Sequence, residues 1–167
     1  DSPNQVWVSD VTCFRYKELW YYICVIIDIF SRKVVAHGIA LKNSTRLITS
    51  TFKLACARRQ PGEGLVFHSD QGAQYTSYAF RKLLRESGVK QSFSNPGKPH
   101  DNAVAESFFA SLKKEELYRT NYKSEAEFRK CVDAYMLFYN DQRPHGTLHY
   151  KTPNQAELAL KGTSETE

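Results

Sequence analysis

The chain has 167 residues, 41% hydrophobic and 25% charged, an ordinary composition for one globular domain with a sizeable core. No run of about 18 apolar residues occurs, which excludes a membrane-spanning helix. The net charge of +5 and the pI of about 9.0 favour a polyanionic partner, although bland basic proteins share that signal.

The first residues, DSPNQVW, carry neither a charged n-region nor the apolar core of a signal peptide. They also lack an initiator Met, so a piece of a longer chain is expected. Cys13, Cys24, Cys56 and Cys131 are widely spaced with no CxxC, each inside an apolar pattern. They read as reduced core residues of a cytosolic protein, with no disulfide frame.

Val6 to Phe14 has the β-branched and aromatic content of a strand, interrupted by Asp10. A carboxylate inside an apolar strand is costly unless it is paired, bound to metal, or on an edge facing water. Leu19 to Ile29 and Val34 to Leu41 follow as strands after short turns, which predicts an antiparallel meander. Asp28 falls at a strand end, where Asp commonly bonds the turn backbone, and that role is favoured over catalysis. Asn43-Ser44 cap a helix from Thr45 to Arg59, stopped at Gln60-Pro61-Gly62. Leu65 to His68 is a short strand followed at once by Asp70, at the carboxyl end where open α/β sheets gather their sites. A helix from Tyr78 to Ser87, a fifth strand from Val89 to Phe93 and a loop with Pro96-Gly97-Lys98-Pro99 come next. Helices are predicted over Glu125 to Tyr139 and Pro153 to Leu160. Residues 1–161 form one domain, and 162–167 are a frayed polar tail. The element order predicts an α/β fold with a mixed five-stranded sheet, three antiparallel strands then two parallel, and helices on both faces.

The helix after the Pro-Gly loop carries the sharpest pattern. At about 100° per residue, Asn102, Glu106 and Lys113 fall within about 40° of one another, whereas Val104, Ala105, Phe108 and Leu112 share a different face. If the first and fourth strands pair in parallel, Asp10 and Asp70 become neighbours and Glu106 can pack back against the same edge. Three carboxylates so gathered would repel and hold protons unless a divalent ion resolved the conflict. All-oxygen ligands select Mg²⁺ or Mn²⁺, and two such ions about 4 Å apart suit an in-line phosphoryl displacement.

The motifs Trp7-Val8-Ser9-Asp10-Val11-Thr12, Asp28-Ile29-Phe30-Ser31-Arg32, His68-Ser69-Asp70-Gln71-Gly72-Ala73-Gln74-Tyr75 and Asp101-Asn102-Ala103-Val104-Ala105-Glu106-Ser107-Phe108 occur in this order, with 35 residues between Asp70 and Glu106. With Tyr139-Asn140-Asp141-Gln142-Arg143-Pro144-His145 and Thr152-Pro153, they make the chain resemble the integrase catalytic core of bacterial insertion-sequence transposases, in the retroviral-integrase superfamily. The resemblance covers nearly the whole chain. It implies an RNase H-like fold and metal-dependent DNA strand transfer, in which water or a DNA 3′-hydroxyl attacks a phosphodiester without a covalent protein–DNA intermediate. It further implies that Asp10, Asp70 and Glu106 hold two Mg²⁺ ions, with Mn²⁺ able to substitute. Lys113 would contact phosphate near the scissile bond, and Asn102 would support Glu106 or the DNA. Cys13 stands where a Tyr is common, a packing change that leaves the acids alone. The resemblance also implies DNA partners (transposon ends and target), a homo-oligomer when active, an upstream helix-turn-helix region, and a bacterial cytoplasmic, nucleoid-associated location.

Lys114 lies beside Lys113 but off the Glu106 stripe, as a further DNA contact or a solvated face. Lys98 and His100 flank the loop and could touch DNA or simply be exposed. That loop is expected to order with metal and DNA. His68 and Arg143 read as structural, and Tyr75, Tyr78 and Phe80 as core in preference to base-stacking platforms. His145 and His149 lack the further ligands of a zinc site. Two other functions stay open at this point: an RNase H-like nuclease that cuts without joining, and an inactive DNA-binding module.

Overall fold

The computed structural model describes residues 2–94 and 102–163, the last three by backbone alone. The Pro96-Gly97-Lys98-Pro99 loop, His100, Asp101 and the end of the tail lie outside the described residues, and with them the expectations for Lys98 and for the loop.

The three antiparallel strands are β1 (Val6–Tyr16), β2 (Leu19–Asp28) and β3 (Val34–Ala40). β4 (Val66–Ser69) and β5 (Lys90–Phe93) are short and parallel. The sheet order is β3-β2-β1-β4-β5, so β1 is central, antiparallel to β2 and parallel to β4. Asp10 therefore stands on an interior strand and the edge-strand reading falls away.

Alternation along the strands builds two cores. On one face Val8, Ile23, Val25 and Ile27 pack with Phe108 and Leu112 of α4 (Ala103–Leu112) and with Phe128, Val132 and Tyr139 of α5 (Glu125–Asp141). On the other, Trp7, Cys24 and Ile26 pack with Phe52 of α1 (Thr45–Arg59) and Phe80 of α3 (Tyr78–Glu86). Ser44 caps α1 as expected, its side chain accepting from the Leu47 N–H.

Several features depart from the sequence reading. A one-turn helix α2 (Ala73–Thr76) precedes α3. α4 does not continue as an α-helix but passes into a π turn over Lys113–Leu117. The last helix, α6 (Pro153–Thr163), runs past Leu160. Cys13 is exposed, because the sheet face beneath it extends beyond the covering helices, so it is not a core residue. Tyr78 is also exposed, at the first position of α3, whereas Tyr75 and Phe80 are buried.

Buried polar groups tie the outer elements down. Asp28 accepts the backbone N–H groups of Asn4, Phe30 and Ser31 at 2.6–3.4 Å, the turn role expected of it. Arg59 at the end of α1 lies 3.7 Å from Asp28 and donates twice to Glu157 of α6 at 2.7 and 2.8 Å. Ser31 Oγ and Lys33 Nζ also donate to Glu157. Asn140 of α5 brackets the edge strand β3, its amide accepting from Val34 N–H and donating to Val34 C=O, both at 2.9 Å.

Burial pushes the Glu157 carboxyl up, but Arg59, Ser31 and Lys33 outweigh it and hold the group below its usual range. The stability it supplies is therefore present above about pH 4.5 and is lost as pH falls below that. Glu157→Ala should cost about 3 kcal/mol at pH 7, because Arg59 loses its bidentate partner in a half-buried site. Urea melts at pH 7 and pH 3 check this, with the gap to the parent shrinking at pH 3.

Candidate active site

Asp10 is directly opposite Val25 on β2, and Val25 belongs to the core under α4. Cross-strand partners share a face, so the Asp10 carboxyl emerges on the α4 side of the sheet. Its Oδ1 accepts the Val11 N–H at 2.8 Å. The parallel register pairs Val8 with His68, and carrying it two residues further brings Asp70, just beyond β4, alongside Asp10. Asp70 is exposed, and its Oδ1 accepts the Gly72 N–H at 2.9 Å in a tight turn. A Cβ at Gly72 would stand 2.9 Å from that oxygen, so the absent side chain leaves the carboxylate its room.

The turn bearing Asp70 is fixed from below. Tyr75 of α2 is buried and its hydroxyl meets Ser9 Oγ at 2.8 Å, while Ser9 Oγ donates to Val25 C=O at 2.9 Å. Ser9 precedes Asp10 in β1, so this bond ties the segment carrying the second acid to the strand carrying the first. His68 bridges to β5 and its exit, with Nδ1 and Nε2 each 3.0 Å from the Ser92 and Ser94 hydroxyls, in keeping with a structural role.

Glu106 is exposed on the first turn of α4, whose Ala105, Phe108, Phe109 and Leu112 are buried. Burying that apolar face turns the Asn102–Glu106–Lys113 stripe towards the sheet edge. Lys113 keeps α-helical dihedrals at the start of the π turn, so the stripe survives to it. Lys114 is exposed, one position round. Asn102 is the N-cap residue of α4 but makes no side-chain capping bond, and its Oδ1 is buried without a partner among the described residues.

The electrostatics of Asp10 reflect the convergence. Burial pushes the Asp10 carboxyl up to about 6; the Asp70 and Glu106 charges add to the rise, while the Val11 N–H and the Lys113 ammonium oppose it. The three predicted acids and Lys113 thus share one electrostatic field. Among the described residues, no three acidic, His or Cys side chains close to the separations of a ligand cage. Mutual repulsion of carboxylates is sufficient reason for such spacing.

Two predicted residues have scaffold partners. Arg143 grips Glu115 with Nε and Nη2 at 2.7–3.0 Å, and the Tyr135 hydroxyl donates to the same carboxylate at 2.7 Å. His145 is buried edge-on against Tyr139, ring centroids 4.5 Å apart. The π turn serves this arrangement, since it turns Glu115 to Arg143 and Glu116 to the Tyr122 hydroxyl at 2.9 Å. Neither the Ser9–Tyr75 bond nor the π turn has a periodic signature in the sequence.

A five-stranded mixed sheet flanked by helices, with acids on the central strand and beyond its parallel neighbour, is an RNase H-like α/β arrangement. Two models of the integrase core domain match the chain, over residues 1–99, which include Asp10 and Asp70, and over residues 87–153, which include Glu106. The chain belongs to the integrase core domain family. It is 38% identical over 157 residues to the transposase for insertion sequence element IS904 of Lactococcus lactis subsp. lactis, covering 93% of this chain and 62% of the relative. It is 33% identical over 156 residues to the transposase InsF for insertion sequence IS3A of Escherichia coli, covering 93% and 54%. The chain therefore spans roughly half to three fifths of these relatives' length. Among solved structures, the HTLV-2 integrase catalytic core domain in complex with magnesium, in a trimeric form, superposes with a TM-score of 0.75 at 21% identity, covering 93% of this chain and 97% of that one. The BIV integrase catalytic core gives 0.73 at 18% identity, covering 98% and 99%.

The raised Asp10 carboxyl has a measurable consequence. A folded-state value above the unfolded one costs stability as pH climbs from about 3.8 to about 6, and the cost then stays constant. Asp10→Asn should raise the stability of the metal-free protein at pH 7.5 by on the order of 3 kcal/mol. The gain should fade as pH is lowered through that window, as thermal melts in a chelating buffer would show.

Proposed function

We propose that this chain is the catalytic core of a DDE-type DNA transposase, cutting and joining DNA by in-line attack of water or a 3′-hydroxyl on a phosphodiester. The observation that carries the reading is the parallel β1–β4 register that sets Asp10 beside Asp70, with Glu106 and Lys113 acting on the same carboxyl. Asp10, Asp70 and Glu106 would hold two Mg²⁺ or Mn²⁺ ions. The donor set fits: it is all carboxylate oxygen, and burial, with the Asp70 and Glu106 charges adding, already raises the Asp10 carboxyl, a cost that a divalent ion would relieve. Bound there, such ions would supply Lewis-acid activation of the attacking oxygen and stabilisation of the leaving oxygen in a phosphoryl displacement.

The remaining work falls to the chain's own groups. Lys113 meets a phosphate beside the acids and orients the strand. Asn102, with a buried oxygen left over, steadies the backbone or Glu106 from the same helix stripe. Ser9 and Tyr75 keep Asp70 level with Asp10. Lys98 and Lys114 extend the basic contact. In the full-length protein an upstream helix-turn-helix region would recognise the transposon ends, and a homo-oligomer would bring two ends together with the target. The basic chain, the transposase relatives and a fold shared with oligomeric integrase cores support this assembly and a location with the bacterial nucleoid.

A labelled donor end, a plasmid target and Mg²⁺ or Mn²⁺ supply the test. Asp10→Asn, Asp70→Asn and Glu106→Gln should each abolish cleavage and joining while leaving DNA affinity within about twofold. Cleavage without any joined product would favour a nuclease over a strand-transfer enzyme. Lys113→Ala should weaken DNA binding and lower the salt dependence by about one phosphate. An unchanged slope in a salt titration would remove Lys113 from the contacts.

A further inference from the structure

A groove of about 380 Å³ opens beside the acid site, between the first turns of α4, the β2–β3 turn and the segment after α5. Its lining mixes polar side chains, Arg32, Ser107 and Thr147, with apolar ones, Ile29, Val104 and Tyr139. Ser107 follows Glu106 in sequence, and roughly 100° of helical turn separates them. The groove therefore borders the acid stripe without including it.

Arg32 is the unusual member. Arg59, Arg129 and Arg143 have carboxylate partners, Glu157, Glu125 and Glu115, and Arg58 donates to the Val35 carbonyl. Arg32 is partly buried, yet among the described residues it has no ion pair and no hydrogen bond. Its backbone is left-handed, with φ at 62°. That conformation costs a non-glycine residue about 1–2 kcal/mol, and glycine or asparagine would occupy it more cheaply. Withdrawing a guanidinium from water without a partner adds a further cost. The turn thus spends stability to hold a free cation at this spot.

The charge is directed into the groove. Arg32 acts on the rings of both Tyr139 and His145, which line it. Burial first, then Arg143 and Arg32, keeps His145 below its usual range, so the floor is a neutral ring. The nearby acid Glu115 is taken up by Arg143 and Tyr135. The Ser107 and Thr147 hydroxyls are exposed and have no partner among the described residues. A groove lined by a cation, hydroxyls and apolar side chains matches a strand of alternating phosphate and deoxyribose.

We propose that this groove is a subsite for the sugar–phosphate backbone of DNA adjacent to the scissile phosphate, with Arg32 as its phosphate ligand and Ser107 and Thr147 as hydroxyl donors. The proposal rests on the reading of the chain as a DNA-cutting core. It gives that core a second phosphate contact, beside the Glu106 stripe that ends on Lys113. A strand held at two points is fixed in position along its length, which a single lysine cannot achieve.

The test measures fluorescence anisotropy of a short labelled duplex with the 167-residue chain across a salt series. Arg32→Gly removes the cation and relieves the left-handed backbone, so its melting temperature should equal or exceed that of the parent. It should nonetheless bind the duplex roughly tenfold more weakly at low salt, with the salt slope reduced by about one phosphate. Arg32→Lys should restore the slope but only part of the affinity, because an ammonium lacks the guanidinium fork. Unchanged affinity and slope in Arg32→Gly, with Lys113→Ala shifting both, would overturn the groove and leave the DNA-cutting core standing. A loss of affinity accompanied by a fall in melting temperature would mark Arg32 as structural and also overturn it. No binding by the parent chain at any salt concentration would remove both readings together.

Discussion

β1 is the strand on which everything else depends, and its two pairings differ in kind. Towards β2 it is antiparallel over ten residue pairs, a local hairpin that needs only a two-residue turn. Towards β4 it is parallel over three, and the chain must travel through β2, β3 and α1 before that contact closes. The long hairpin supplies the rigidity, and the short parallel ladder sets Asp70 level with Asp10. A one-residue slip in that ladder would turn Asp70 away from Asp10. The Tyr75–Ser9 bond, the Gly72 turn and the His68 contacts all lie within a few residues of the ladder and brace it against a slip.

Such bracing has a cost in charge. Burial pushes the Asp10 carboxyl up to about 6, and the Asp70 and Glu106 charges add to the rise against the Lys113 ammonium. The fold compensates elsewhere with paired polar groups. Glu157 with Arg59, Glu115 with Arg143, and Asn140 with Val34 each satisfy buried donors and acceptors across elements far apart in sequence. Each pins a helix to the sheet or to another helix, so the acids can be held close without the scaffold yielding. The motif residues Asp28, Asn140 and Arg143 belong to this compensation and not to the acid site.

The sequence announced the strands clearly, because β-branched runs between short polar turns leave few other readings. It marked the acids as candidates almost as clearly, since Asp10 broke an apolar strand, Asp70 followed another, and Glu106 stood alone on the otherwise uncharged first two turns of its helix. What it could not announce were contacts made by single polar residues. Nothing periodic links Ser9 to Tyr75, or Arg143 to a glutamate 28 positions away. α2 is four residues long, too short for a helical pattern to declare itself. Lys113–Leu117 has ordinary helix-forming residues, and its π geometry comes from the tertiary pull on Glu115 and Glu116. Cys13 misled because its strand is apolar, whereas its exposure depends on how far the helices reach.

The π turn connects these observations. A π turn widens a helix by one residue and rotates everything after it relative to everything before. Before it, α4 keeps an α-helical register that lines Asn102, Glu106 and Lys113 along one stripe. After it, Glu115 and Glu116 face the scaffold, where Arg143, Tyr135 and Tyr122 neutralise them. A regular α-helix would carry Glu116 to about 60° from the Lys113 direction, adding another negative charge near an already crowded site. By switching register at Lys113 the chain ends the acid stripe on a cation and commits the following acids to packing. Both halves pack on the same hydrophobic core through Phe108, Leu112 and Leu117, while their polar faces diverge, the first towards the acids and the second towards the scaffold.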